Sequence, residues 1–209
     1  MESNKRRLGA ILLFLVFLPL IGCAARGPEI SRVGGGPEAP APSSVKSIPS
    51  FDLPIPQGER DKVYLGVEGT GNFQLGQVKA PFVIIEVFSF YCPYCQQVAP
   101  KVNELYQKIE ERPDLKGKIK LIGIGSTNSP FEVNSFREKY QVPFPLFPDQ
   151  NKDIFNLLGA RGTPTFIGIR LSEKGTLEQF YLGEGAFQDS QQVLAEIIKL
   201  AGLKEATKK

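Results

Sequence analysis

The stretch 82-FVIIEVFSFYCPYCQQVAP-100 opens as a near-continuous apolar run and closes as the start of a helical pattern. Cys92-Pro93-Tyr94-Cys95 sits at the junction. An uninterrupted apolar run of this length is the mark of a central strand covered on both faces. Pro93 at the first helical position and Val98, Val102, Leu105 and Ile109 at helical spacing predict a helix from about Pro93 to Glu111. Two cysteines three apart at a helix N-terminus share one face and can form a disulfide with each other. The helix dipole and the free N–H groups there favour a thiolate at Cys92. A strand leading directly into such a pair points to thiol–disulfide chemistry.

A Cys-x-x-Cys pair has other uses. It can be half of a zinc site, a two-thiolate Cu(I) clip or a structural staple. Structural zinc takes four ligands, and this chain has three cysteines and no histidine. The missing histidine also removes Ser-His and Cys-His dyads and His-based acid–base catalysis. A disulfide closing so small a loop removes little chain entropy, so it is a poor staple. Redox exchange is the leading reading. No metal and no cofactor are expected, and a non-enzymatic Cu(I)-handling protein is one alternative.

Upstream, residues 1–22 combine Lys5, Arg6 and Arg7 with an apolar segment from Leu8 to Leu20. That is the layout of a signal peptide and is short for a membrane span. It ends in Leu20-Ile21-Gly22-Cys23, which resembles the bacterial lipobox, where cleavage precedes a cysteine that is then lipidated. Lipidation at Cys23 would place the chain outside the cytoplasm, on the periplasmic side of a bacterial membrane. Ala24, in place of Asp, points to the outer membrane. Residues 24–50 are rich in Gly, Pro, Ala and Ser and read, with Cys23, as a lipidated tether over 23–50. Such a segment reaches about 30 Å. The formal charge is +3, of which Glu2, Lys5, Arg6 and Arg7 supply +2. A processed chain near neutrality is not built for nucleic acid.

The domain is expected over 51–209. Phe51-Asp52-Leu53 and Val63 to Val67 read as short strands, and Asn72 to Val78 leads into Pro81 before the central strand. Ile119 to Gly125 reads as a second buried strand. Phe131 to Tyr140, introduced by Ser129-Pro130, reads as a helix, Phe144 to Phe147 as a strand, and Lys152 to Leu158 as a short helix. Thr165 to Leu171 and Leu177 to Leu182 read as paired strands, and Asp189 to Ala201 as a closing amphipathic helix. Strands alternating with helices predict an α/β fold with a central mixed sheet flanked by helices. It carries an N-terminal extension and a helix–strand insertion.

In this order the motifs resemble the thioredoxin superfamily. The strand–Cys-Pro-Tyr-Cys–helix unit is followed by Pro100, eight residues after Cys92, where that superfamily kinks its active-site helix. Glu86, six residues before Cys92, matches its buried acid. Arg161-Gly162-Thr163-Pro164-Thr165 resembles its cis-proline loop, and Gly183-Glu184-Gly185 fits the pattern after the last strand. The resemblance implies roles residue by residue. Cys92 is the attacking thiolate and Cys95 the resolving thiol, forming the redox disulfide. Glu86 is a proton shuttle, and Pro164 is cis and faces the sulfurs. Thr163 pairs with an extended substrate, and Pro93, Tyr91 and Tyr94 line the docking surface. The superfamily often sets a lysine near the acid, but the second buried strand offers only Lys118 and Lys120, at its start.

The run Glu86 to Cys95 resembles the active site of the oxidase DsbA. Yet Thr163 follows Cys95 by only 68 positions, too few for DsbA's inserted helical domain. The body resembles the membrane-tethered TlpA/ResA and redoxin group instead, whose members mostly reduce disulfides outside the cytoplasm. That resemblance implies a monomeric, tethered thiol–disulfide oxidoreductase, working as a reductase. Its partners would be cysteine-containing extracytoplasmic proteins and an upstream redox partner. A peroxiredoxin-like peroxidase is a further alternative, for which Ser89 is the only nearby aliphatic hydroxyl.

Overall fold

The computed structural model describes residues 46–172 and 175–204. The signal segment 1–22, Cys23, the tether up to residue 45 and the tail 205–209 lie outside the described residues. One six-stranded mixed sheet, ordered β1-β8-β7-β4-β5-β6, organises the chain. Its centre is β4 (Phe82–Phe88), all seven residues of which are buried. β4 pairs parallel with β5 (Ile119–Ser126) and antiparallel with β7 (Thr165–Leu171). Outside them lie β6 (Leu146–Asp149), parallel to β5, and β8 (Leu177–Glu184), antiparallel to β7. β1 (Lys46–Ile48) closes the other edge against β8.

Alternation along the strands divides the core into two layers. Phe82, Ile84 and Phe88 face α2 (Pro93–Glu111), α3 (Pro130–Tyr140) and α5 (Ser190–Ala201). Val83, Ile85 and Val87 face the opposite layer. That layer holds the hairpin β2 (Asp52–Pro54) and β3 (Asn72–Gln74), α1 (Glu59–Leu65) and α4 (Asp153–Leu158). The α/β architecture, a central mixed sheet flanked by helices, is the one the sequence predicts.

Three local expectations change. Val63 to Val67 was expected extended, but residues 59–65 form α1. Gly58 caps it, Glu59 and Asp61 occupy its positive first turn, and Gly66 at φ 70° ends it with its N–H bonded to Lys62 and Val63. The two valines misled because Val63 is exposed and carries no packing information. The tether boundary also moves: the sheet begins at Lys46, inside the stretch expected to be tether. Ile48 is buried there and Lys46 Nζ donates to the Leu158 carbonyl at 3.3 Å. A three-residue edge strand with one inward side chain has no periodicity to read. Finally, the strand expected at 144–147 starts at Leu146, where pairing with Gly123 begins. Pro148, which has no N–H to donate, is tolerated because β6 is an edge strand.

Phe136 anchors α3 to the sheet, with its ring 4.5 Å from Phe88 and no exposed surface. Phe136→Ala should lower the unfolding free energy by about 3–5 kcal/mol in urea titration. Phe131→Ala, on the exposed side of the same helix, should change it by less than about 0.5 kcal/mol.

Candidate active site

β4 leaves the sheet after Phe88, its last residue paired to β5. Residues 89–92 then make a turn closed by the Cys92 N–H on the Ser89 carbonyl at 3.1 Å. Cys92 is the N-cap of α2, and its Sγ accepts from the Cys95 N–H at 3.4 Å. Pro93 takes the first helical position, where no N–H is needed. Helix α2 continues through Pro100, whose ring is on the exposed side. The strand, the turn and the helix therefore dictate where both sulfurs lie.

Both cysteines are free thiols. Cys92 is partly exposed, whereas Cys95, one turn inward, is completely buried among the apolar residues of the α2 layer. Their acidities part accordingly. Burial disfavours the Cys92 thiolate, but hydrogen bonds from Thr163, Cys95 and Tyr94 outweigh it and hold this thiol below its ordinary value. The donors are the Thr163 side chain, Cys95 and the Tyr94 backbone, none of them charged. Burial pushes the Cys95 thiol far above the ordinary range, and the charges of Glu86 and Cys92 add to the rise. Cys92 is thus the more readily ionised sulfur and the only one of the two with access to solvent.

The Thr163–Pro164 peptide bond is cis. The loop carrying it lies beside the dithiol, and the Cys92 Sγ–H donates to the Thr163 carbonyl at 3.2 Å. Pro164 is buried and Thr163 half-buried. The loop is braced by the Gly185 N–H on the Pro164 carbonyl at 2.9 Å and by the Thr165 hydroxyl on the Gly162 carbonyl at 2.8 Å. Arg161 and Glu184 form an exposed two-armed ion pair across it, at 2.8 and 2.9 Å. The Gly183-Glu184-Gly185 segment is therefore a strut of the loop.

Glu86 is 1% exposed, and its Oε1 has no hydrogen-bond partner among the described residues. Burial, with repulsion from Cys92, pushes its carboxyl up to about 8. Among the described residues no lysine answers it. Lys120 pairs with Val83, whose side chain is on the opposite face from that of Glu86, and its Nζ lies 4.1 Å above the Tyr64 ring. Lys118 precedes β5 altogether.

Tyr91 and Tyr94 are exposed, 65% and 63%, on either side of Cys92. Tyr94 projects freely, whereas the Tyr91 hydroxyl donates to the Glu132 carboxylate in the first turn of α3. Two residues at this site are not legible as such from sequence. Asn128 and Gln96 bond the two sides of Phe90, at its N–H and its carbonyl. Asn128 precedes a Ser-Pro helix start and reads there as ordinary capping sequence; Gln96 reads as a surface helix residue. Among the described residues no three Cys, Asp or Glu side chains come together as metal ligands.

A dithiol at a helix N-terminus, graded in acidity and set against a cis-proline on this sheet, defines a thiol–disulfide oxidoreductase. The chain belongs to the AhpC/TSA family, whose model matches residues 46–182. It is 24% identical over 186 residues to the thiol-disulfide oxidoreductase ResA of Bacillus thuringiensis subsp. konkukian, covering 89% of this chain and 96% of that protein. The ResA of Halalkalibacterium halodurans is 23% identical over 128 residues, 61% of this chain and 68% of that one. Among solved structures, a putative thiol:disulfide interchange protein DsbE from Chlorobium tepidum superposes with a TM-score of 0.56 at 17% identity, over 77% of this chain and 99% of that one. StoA from Bacillus subtilis does so with 0.51 at 17% identity, over 70% and 95%. These structural likenesses are of fold.

The weakened acidity of Glu86 makes stability depend on pH. The folded state holds this proton up to about 8, whereas the unfolded chain releases it near 4.5. Between those values the unfolded state is the one that ionises, so stability falls as pH rises and levels off above about 8. Glu86→Gln should abolish most of that fall, a difference on the order of a few kcal/mol between pH 5 and pH 8. Urea unfolding of both proteins across that range measures it; parallel pH dependences would show that Glu86 is not the group responsible.

Proposed function

We propose that this chain is a membrane-tethered thiol–disulfide oxidoreductase that reduces disulfides of extracytoplasmic proteins through Cys92 and Cys95. The observation that carries the chemistry is the contrast between the two sulfurs, one accessible and readily ionised, the other buried and protonated. The Cys92 thiolate attacks a substrate disulfide and expels one substrate thiolate, leaving a mixed disulfide. Cys95, having lost its proton, then attacks Cys92 Sγ and expels the second substrate thiolate. Two electrons pass to the substrate, and the Cys92–Cys95 disulfide is re-reduced by an upstream dithiol partner.

Glu86 is the proton acceptor for Cys95. While Cys92 is a thiolate, repulsion helps keep Glu86 protonated. Once Cys92 is tied up in the mixed disulfide that repulsion is gone, and the carboxylate forms more readily. The Thr163 carbonyl beside Cys92 offers a substrate backbone an acceptor at the edge of the site, and Tyr91 and Tyr94 offer it exposed rings.

The reducing direction follows from what stabilises Cys92. Strong oxidants of this kind owe their potential to a stabilised reduced form. Here the groups that make Cys92 more acidic are uncharged, the chain has no histidine, and an unpaired buried carboxyl stands close by. That environment supports a reduced form less stabilised than in a strong oxidant. The tether rests on the Leu20-Ile21-Gly22-Cys23 run and on the resemblance to tethered relatives. With Ala24 following Cys23, the outer membrane is the proposed destination.

Equilibration with glutathione or dithiothreitol should give a potential closer to about −270 mV than to about −120 mV. A value at the upper figure would overturn the reducing direction. Cys95→Ser should accumulate mixed disulfides that Cys92→Ser cannot form, visible as thiol-sensitive adducts on non-reducing gels. Labelled fatty acid should enter the full-length protein and not Cys23→Ser; equal labelling of both would remove the anchor.

A further inference from the structure

Beyond Phe88 the active-site segment has no support from the sheet. Pairing with β7 ends at Val87, pairing with β5 ends at Phe88, and α2 begins only at Pro93. Side chains hold the backbone of the intervening turn on both sides of Phe90. The Phe90 N–H donates to Asn128 Oδ1 at 2.7 Å, and Gln96 Nε2 donates to the Phe90 carbonyl at 2.8 Å. Gln96 belongs to the helix that the turn feeds. Asn128 comes from the far side, 38 residues along the chain, in the loop between β5 and α3.

That loop carries two local costs. Thr127 sits at φ 61°, in the left-handed region that a β-branched residue rarely enters. Holding a residue there is unfavourable. Asn128 has no exposed surface, and its Nδ2 has no hydrogen-bond partner among the described residues. Leaving a buried donor unpaired is unfavourable as well. Neither cost benefits α3, which has its own capping box between Ser129 and Glu132. Gly125 makes room as well: a Cβ there would stand 3.2 Å from Asn128 Oδ1 and 2.8 Å from Val133 Cγ2. What the loop conformation achieves is delivery of one carbonyl oxygen to the Phe90 N–H. Glu132, four residues on, holds the next residue through the Tyr91 hydroxyl.

We propose that Asn128 is a positioning residue for thiol–disulfide exchange, fixing the turn so that Cys92 Sγ stays aligned with the Cys95 N–H. It acts through Phe90 and touches neither sulfur nor substrate. The inference rests on the reading of Cys92 as the attacking thiolate. Without Asn128 the Phe90 N–H loses its partner, and Cys92 drifts from the donors that favour its ionised form. The groups that face Cys92 directly, Glu86, Cys95, Thr163 and Tyr94, are unchanged by the substitution.

The test is the rate of Cys92 alkylation by iodoacetamide as a function of pH, in wild type and in Asn128→Leu, with turnover of a model disulfide measured alongside. Asn128→Leu removes the acceptor at similar volume. The alkylation profile should move to higher pH, and kcat should fall about tenfold with little change in KM. Phe136→Leu, a core change in the same layer, serves as the stability control and should leave the profile in place. If Asn128→Leu does not fold, Gln96→Leu removes the support of the adjoining peptide, at the Phe90 carbonyl, and should move the profile in the same direction. A profile superimposable on wild type in the folded variant overturns the positioning role, provided wild type itself turns over. Absence of Cys92-dependent turnover in wild type would instead remove the enzymatic reading beneath it.

Discussion

A carboxyl and a thiol share one apolar layer beneath Cys92, and the behaviour of the site depends on that confinement. Glu86 and Cys95 are both removed from water, and Glu86 Oε1 has neither a cation nor a hydrogen bond to settle its charge. Low polarity makes each ionisation oppose the other. The pair therefore holds one negative charge more readily than two. Cys92, capping the helix above them, joins the same arrangement because its charge raises both neighbours. The sheet makes the confinement possible: only a strand covered on both faces could bury position 86 so completely.

Around this buried pair the fold brings together three segments distant in sequence. The strand–turn–helix unit supplies both sulfurs. The cis-proline loop, braced by Gly185, places a carbonyl on the open side of Cys92. The loop before α3 supports the turn from beneath through Asn128 and Glu132. Only the first of these is local, so the integrity of the site depends on β5 and β7 remaining in register with β4.

How much of this could be read in the sequence follows from how far each feature reaches. β4 and α2 were legible because a continuous apolar run and a helical apolar stripe are dense signals, and Cys92 and Cys95 interrupt them. The Thr163–Pro164 loop was legible only by resemblance, since nothing in Arg-Gly-Thr-Pro-Thr alone distinguishes a cis bond from a trans turn. α1 was not legible because Val63 faces solvent, and its helical state comes from capping at Gly58 and Gly66. Asn128 was not legible because its role is a contact across 38 residues, made by a residue type that is common before helices. Lys120 shows the converse: its place on β5 could be read, but its partner, the Tyr64 ring of α1, could not.

The edge strand β1 carries a directional consequence. It runs antiparallel to β8, and β8 runs antiparallel to β7, which is itself antiparallel to β4. Lys46 therefore points back along the sheet toward the end where β4 delivers Cys92. A pull applied at Lys46 along the strand would load the β1–β8 ladder in shear.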